Sequence, residues 1–343
     1  MKIIHTADIH LDSPLTGVSD SQTRRTELLR AFSNMVDYAQ NNSVEAIIVA
    51  GDLFDDQSVT KQTVATVAQI INGSAAQWFV LRGNHGTSAP YLELKQLCPQ
   101  IKTFGEDWSY HTLGNVCICG RELGRNDAEH WKTFAPSDAN YNVLVLHGDV
   151  DSDAYGVIDK KIIAASPVSY VALGHRHTLS TFKFGRVPAC YCGVLEARGF
   201  DEPAETGFVV LDTETNKAKF VPQYIRRVET VRVDVSSVTT DLALEKLLLD
   251  SVSEVSPRNY LNVELLGMLN EGVRAQRVAD DVLGGKYFAL RIKNFTTAPY
   301  DLQKLQAELS LRGEFVKLAL AIDDSAERAE VLDLGLRLLN GEV

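Results

Sequence analysis

The sequence predicts an α/β protein. Two sheets pack as a sandwich with helices outside and strand–helix–strand crossovers, and a small α+β domain follows toward the C-terminal end. Three observations predict this. Apolar runs end in polar tips, most clearly Glu45-Ala46-Ile47-Ile48-Val49-Ala50-Gly51-Asp52, and a continuous run of that kind reads as a strand buried on both faces. Over the first hundred residues such runs alternate with helical periodicity, the pattern of a parallel sheet with crossovers. From Asn115 the rhythm changes to short, frequent strand-like pieces.

In chain order, Lys2 to Ala7 is the first strand, and it delivers Asp8 and His10. Leu28, Leu29, Phe32, Val36 and Ala39 recur at helical spacing, so Gln22 to Gln40 forms an amphipathic helix. After the Asp52 strand, Val64, Val67, Ala68 and Ile71 mark a second helix, opened by Ser58 and closed at Asn72-Gly73. Trp78 to Leu81 delivers Asn84 and His85. The later pieces are Val116 to Cys119, Val143 to Leu146, Val168 to Leu173, Ser180 to Phe184, Val187 to Cys192, Gly207 to Leu211 and Lys217 to Tyr224. Turn residues between them suggest a largely antiparallel second sheet. The runs ending at Leu146 and Leu173 deliver His147, and His175 with His177.

These elements make one domain over residues 1–225, and residues 226–343 make the second. In the second, Leu-rich helices flank strands at Tyr260 to Leu266 and Tyr287 to Ile292. The last helix, Ala326 to Leu339, carries Ala329, Leu332, Leu336 and Leu339 on one side and Val331, Leu334 and Leu338 on another. It either folds back on its own domain, the simpler reading, or docks a partner.

The formal net charge of -11 argues against a charge-driven nucleic-acid binder. It leaves a nuclease open, because bound divalent cations reverse the local sign of an acidic site. Five cysteines without a secretory signal fit buried thiols in a reducing cytoplasm. No stretch reaches the ~18 apolar residues of a membrane span.

Asp8-x-His10, Gly51-Asp52, Gly83-Asn84-His85, His147-Gly148 and Gly174-His175-Arg176-His177 form one set. In open α/β sheets, sites form beyond the carboxyl ends of strands, so one crevice can collect them. Carboxylates, an amide oxygen and imidazoles suit Mn, Fe or Zn better than Ca or Mg. Even seven of these eight groups are too many for one metal with an open position, whereas two metals sharing a carboxylate accommodate seven. Two metals ~3.5–4 Å apart suit in-line displacement at phosphorus.

These five motifs, in this order, resemble the calcineurin-like metallophosphoesterase superfamily. The segment His5-Thr6-Ala7-Asp8-Ile9-His10-Leu11-Asp12-Ser13-Pro14-Leu15 is similar to the SbcD-type DNA repair exonucleases, and within them to a short bacterial YhaO-like group. The resemblance implies the family's two-sheet metallophosphoesterase sandwich with a small C-terminal capping domain. It assigns Asp8, His10 and His177 to one metal, Asn84, His147 and His175 to a second, and Asp52 to both. It makes His85 the non-ligand histidine that faces the scissile phosphate, where it can stabilise developing charge or protonate the leaving oxygen. A hydroxide bridging the metals is then the nucleophile. The resemblance further implies manganese, a DNA phosphodiester substrate cut by exonuclease or endonuclease action, a homodimer and an SbcC-like coiled-coil ATPase partner.

One departure is Gly86, where the family usually has an acid after Gly-Asn-His; Asp12 or Glu93 are candidates to replace it. Arg82 and Arg176 either contact phosphate or form salt bridges. Arg226, Arg227 and Arg232 form either a DNA-facing strip or, more simply, a solvated charged face. His5, His111 and His130 read as ordinary packed histidines. Two alternatives to a DNA nuclease stand: a small-molecule phosphodiesterase or phosphatase, and a weakly catalytic subunit that binds DNA ends within an ATPase complex.

Overall fold

The structure is a computed structural model describing the chain except residues 16–19, 56–58, 86, 125–127, 151–155, 271, 298–301 and 340–343. Ser58 and Gly86 therefore lie outside the described residues.

The chain opens with β1 (Lys2–Thr6), α1 (Ser21–Asn41), β2 (Ala46–Ala50), α2 (Lys61–Asn72), β3 (Gln77–Leu81), α3 (Ser88–Leu97) and β4 (Lys102–Thr103). It continues with β5 (Ser109–Leu113), β6 (Val116–Gly120), α4 (Ala128–Trp131), β7 (Tyr141–His147), α5 (Lys160–Ala165), β8 (Val168–Gly174), β9 (Ser180–Phe184) and β10 (Val187–Tyr191). Next come β11 (Gly207–Asp212) and β12 (Lys217–Pro222). The remainder holds β13 (Val228–Asp234), α6 (Asp241–Ser251), β14 (Tyr260–Leu266), α7 (Ala275–Leu283), β15 (Ala289–Asn294), α8 (Leu302–Ala307), α9 (Leu311–Leu320) and α10 (Ser325–Leu339).

The first sheet runs β12-β11-β1-β2-β3-β4. Strands β1 to β4 are parallel, as their alternation with helices predicts. The second sheet runs β5-β6-β7-β8-β10-β9. Two expectations about it are corrected. Its centre, β6-β7-β8-β10, is parallel, and only the edge strands β5 and β9 pair antiparallel. Strands β11 and β12 belong to the first sheet, where β11 lies antiparallel to β1 with Ile3 opposite Leu211. The apolar cores of β7 and β8 are continuous rather than alternating, which is the mark of doubly covered parallel strands. The turn residues between the pieces concealed it.

Strand β2 shows why these runs are apolar throughout. Ile47 and Val49 pack with Leu28, Phe32 and Val64 on the helical side, while Ala46, Ile48 and Ala50 pack with Val143, Val145 and Ala172 between the sheets. Successive side chains point to opposite faces, so a strand with two covered faces has no polar position. Beyond the second sheet, Leu144, Leu146, Val171 and Leu173 meet Trp131 and Ile163 in a third apolar layer. Helix α1 is capped by Asp20, whose carboxylate accepts from the Thr23 N–H at 3.0 Å. Helix α2 is capped by Thr60, which accepts from the Thr63 N–H at 3.1 Å. All five cysteines are buried free thiols. Among the described residues no helix is long and apolar enough to cross a membrane.

The chain divides into two compact units. One comprises Met1–Thr230, Val255–Asn262 and Gly285–Arg291; the other comprises Val231–Glu254, Val263–Gly284 and Ile292–Val343. The single cut expected after residue 225 is simpler than this interleaved division. The third sheet, β13-β14-β15, has residues in both. Within the second unit, α10 buries Leu332 and Leu336 against Val316 and Ala319 of α9. Leu334 and Leu338 stay more than half exposed.

Candidate metal centre

Every sequence-selected residue lies at the carboxyl end of a parallel strand: Asp8 and His10 after β1, Asp52 after β2, Asn84 and His85 after β3, His147 at the end of β7, and His175 and His177 after β8. The loops that carry them are tied together by backbone hydrogen bonds. Asp8 N–H donates to Gly51 O, His10 N–H to Asp52 O, and Asp52 N–H to Arg82 O, at 2.8 to 3.1 Å. Asp8, His10, Asp52 and His175 have φ of 51°, 49°, 52° and 101°. Non-glycine residues rarely adopt this left-handed backbone, and each instance costs on the order of 1–3 kcal/mol. The neighbouring ladder bonds hold it in place.

Burial is graded across the site. Asp8, His10, Asp52 and His147 are buried, His175 and His177 are half-buried, and Asn84 and His85 are exposed. Donor atoms of Asp8, His10 and His177 lie within 4.8 Å of one another, as do those of Asp8, Asp52 and His147. The Nδ1 of His147 donates to Ala50 O at 2.9 Å, which fixes the tautomer and turns Nε2 into the site. There Nε2 meets Asn84 Oδ1 at 2.7 Å and Asp52 Oδ2 at 3.2 Å, and Asn84 Oδ1 also lies 3.1 Å from His175 Nδ1. Close by, His175 N–H donates to Asp8 Oδ2 at 2.9 Å, and His85 N–H donates to Asp52 Oδ1 at 3.0 Å.

The protonation of these groups follows from burial and from one another. Burial pushes the Asp8 carboxyl up to about 6, against the pull of His147 and His177. Burial also disfavours the Asp52 charge, but the hydrogen bond and charge of His147 hold its carboxyl below the usual range. The imidazole of His147 is correspondingly raised, burial opposing and Asp52 prevailing. His10 is lowered to about 2 by burial and by the nearby Arg198 guanidinium. Both its ring nitrogens are buried without a hydrogen-bond partner among the described residues.

This donor set fits divalent cations. Neutral Nε2, Asn84 Oδ1 and Asp52 Oδ2 are all acceptors, and acceptors converge stably only around a proton or a cation. Buried, unpartnered His10 nitrogens ask for the same. Gly174 is required by this crowding. A Cβ there would fall on Ala50 O, the carbonyl that holds His147, and would come within 2.8 Å of His147 Nδ1.

Other charged residues near the motifs are engaged. Arg176 pairs with Asp149 at 2.5 Å and lies over the Tyr191 ring, and Arg82 reaches Glu122 through two hydrogen bonds of 3.2 and 2.5 Å. Arg226, largely withdrawn from solvent, forms a two-bond pair with Glu27, Arg227 stacks on Tyr224 and the exposed Arg232 pairs with Glu264. His5 is buried between Tyr170 OH and Leu173 O, and His111 bonds Thr103 O.

Three functional candidates escaped the sequence reading: Asp55, Arg198 and Glu202. Donor atoms of His10, Asp55 and His85 lie within 4.8 Å of one another. An acid beside His85 is therefore Asp55, which the sequence reading had not named; Oδ2 of Asp12, one of its two candidates, accepts from the Thr60 N–H at 2.8 Å. Position three after Asp52 in the same loop was the only sequence signal for Asp55. Nothing in the sequence marks Arg198 or Glu202, which lie beyond the last motif.

Comparison with known proteins agrees with this geometry. A family model for calcineurin-like phosphoesterases matches residues 1–179. The uncharacterised metallophosphoesterase YhaO of Bacillus subtilis is 24% identical over 280 residues, covering 74% of this chain and 68% of YhaO. The DNA double-strand break repair protein Mre11 of Haloferax volcanii is 28% identical over 222 residues, covering 62% of this chain and 49% of Mre11. A component of the nuclease SbcCD of Escherichia coli K12 is 24% identical over 322 residues, covering 77% of this chain and 78% of that component. With the family match spanning more than half the sequence, the chain belongs to the calcineurin-like phosphoesterases.

Proposed function

We propose that this chain is a two-metal phosphodiesterase that cleaves DNA. The observation that carries the chemistry is the convergence of His147 Nε2, Asn84 Oδ1 and Asp52 Oδ2 at 2.7 and 3.2 Å, a set that only a proton or a cation holds together, beside a second buried donor set. Asp8, His10 and His177 would hold one cation, Asn84, His147 and His175 the other, and Asp52 would serve both. Manganese is the proposed metal, with iron or zinc as alternatives. Bound divalent cations supply charge neutralisation at phosphate and a lowered pKa for water.

The protein's own groups do the rest. The Ala50 carbonyl and the Gly174 approach hold His147 in one tautomer, so its lone pair needs no reorganisation. His85 is exposed at the rim, and its N–H is anchored on Asp52. Its ring can donate to the leaving oxygen while the buried carboxylates beneath it stay in place.

DNA as substrate draws on the names of the Mre11 and SbcCD relatives. The proposed partner, an SbcC-like coiled-coil ATPase, and the homodimer draw on the family resemblance of the sequence motifs. Exposed Leu334 and Leu338 on α10, and Leu318 on α9, are compatible with such docking. Residues 226–343 would act as the cap. The test is Mn-dependent cleavage of end-labelled duplex and single-stranded DNA, with His85→Ala as the control that keeps its metals. Cleavage by the parent and its loss in His85→Ala support the reading; no cleavage of either DNA rejects it.

A second reading is a phosphodiesterase for small molecules. It is favoured by the net charge of -11 and by the engagement of Arg82, Arg176, Arg226 and Arg232 with carboxylates. Turnover of a chromogenic phosphodiester without DNA cleavage would select it.

A further inference from the structure

We propose that Glu202, held by Arg198 and tied through it to Asp55, forms a clamp that fixes the far ring nitrogen of His177, so that this ring presents Nε2 to the first metal position. This rests on the two-metal reading above. The Nδ1 of His177 lies 3.1 Å from Glu202 Oε2. The Nδ1 of His10 faces Asp55 Oδ2 at 3.9 Å, while its Nε2 faces Asp52 Oδ2, also at 3.9 Å. One guanidinium ties the two carboxylates together. Arg198 Nε donates to Glu202 Oε1 at 2.8 Å, Nη2 lies 2.6 Å from the same oxygen, and Nη1 donates to Asp55 Oδ2 at 3.4 Å.

All three side chains are largely withdrawn from solvent, at 16%, 19% and 8% exposure. Two carboxylates this close repel each other, and the planar fork of an arginine can hold both in fixed directions where a lysine ammonium cannot. A carboxylate on the far nitrogen of a metal-binding histidine sets the tautomer and raises ligand basicity, and its loss typically costs 10–100-fold in metal affinity.

One contact competes. Arg198 Nη2 also lies 3.4 Å from His177 Nδ1 and could donate to it. That arrangement would need a bare Nδ1 and would turn an N–H toward the ligands. The shorter approach of Glu202, 3.1 Å against 3.4 Å, favours the proton on Nδ1.

The structure supplies an internal control. His147 of the second set is held by a backbone carbonyl, Ala50 O, which no side-chain substitution removes. The clamp therefore acts on one metal position and spares the other. Arg198 and Glu202 are positioning residues; both act through His177.

The experiment is calorimetric titration of the full chain with Mn²⁺, with thermal melts to establish that each variant is folded. The parent binds two ions. Glu202→Met weakens one site by about 10–100-fold and leaves the other within about threefold. Glu202→Gln keeps an acceptor for the His177 N–H and recovers part of the loss; Arg198→Lys, which keeps the charge but not the fork, falls between. Nitrogen-15 shifts of the metal-free parent, taken at a pH high enough for the ring to be neutral, show Nδ1–H and a bare Nε2 on His177, a readout independent of metal and of activity.

Equal weakening of both sites in folded variants, unchanged binding in Glu202→Met, or a neutral His177 ring with Nε2–H and a bare Nδ1 overturns the clamp. Fewer than two ions bound to the parent would instead overturn the two-metal reading, and the clamp with it.

Discussion

His5 sits one turn of sequence before the first ligand, yet its role is structural, and pH reveals it. It is fully buried between Tyr170 OH and Leu173 O, and burial lowers its imidazole to about 3. The sign follows directly. In the unfolded chain the ring takes a proton below about 6.5, whereas in the fold it stays neutral to about 3. Its contribution is thus complete above about pH 6.5 and is lost as pH falls toward 3. Between pH 7 and pH 5 the loss is about 2 kcal/mol. Urea melts of the parent and His5→Gln should show that decrement in the parent and much less in the variant. At Gly174 the constraint is steric. Gly174→Ala would drive a methyl into Ala50 O and His147 Nδ1, so second-site Mn²⁺ affinity should drop at least tenfold in calorimetry. Retained affinity would mean the β2 and β8 tips can part without cost to His147.

At the scale of elements, the ends of strands do the positioning and α10 shows a helix used on one side. Leu336 is fully buried against α9, while Leu338 is more than half exposed. Leu336→Ala should therefore destabilise the second unit by about 2–5 kcal/mol, and Leu338→Glu by no more than about 0.5 kcal/mol. Denaturant melts followed by circular dichroism distinguish them; equal losses would mean that the outer row is also covered. The strands and helices of the sandwich were legible because burial on both faces removes every polar position, as in Ala46–Ala50. Strand order in the second sheet was less so. Nothing local to Val187–Tyr191 says that it lies parallel to β8 while the intervening β9 takes the edge. That choice is made by contacts far apart in sequence.

For the whole molecule, the same distance rule separates the part of the site that sequence reveals from the part it hides. The ligand candidates were legible because each follows an apolar strand, and all but Asp8 and His10 do so in a glycine-flanked motif. Arg198 and Glu202 were not, because an ion pair between residues four apart is commonplace on any surface, and only the fold brings it to His177. The assembled site then couples metal to proton. Asp8, raised to about 6, and the raised His147 and His177 hold protons that a cation must displace. Metal affinity accordingly falls as pH drops through that range and is full above it. Metal that binds only the folded chain stabilises it by about 2.7 kcal/mol at a hundred times its dissociation constant. The melting-temperature difference between Mn²⁺ and chelator should be large at pH 7.5 and shrink sharply by pH 5.5. Calorimetry in buffers of different ionisation enthalpy should show protons released on binding. A temperature difference that stays constant over this range, with no proton release, would mean that the cations bind elsewhere than on Asp8, His147 and His177.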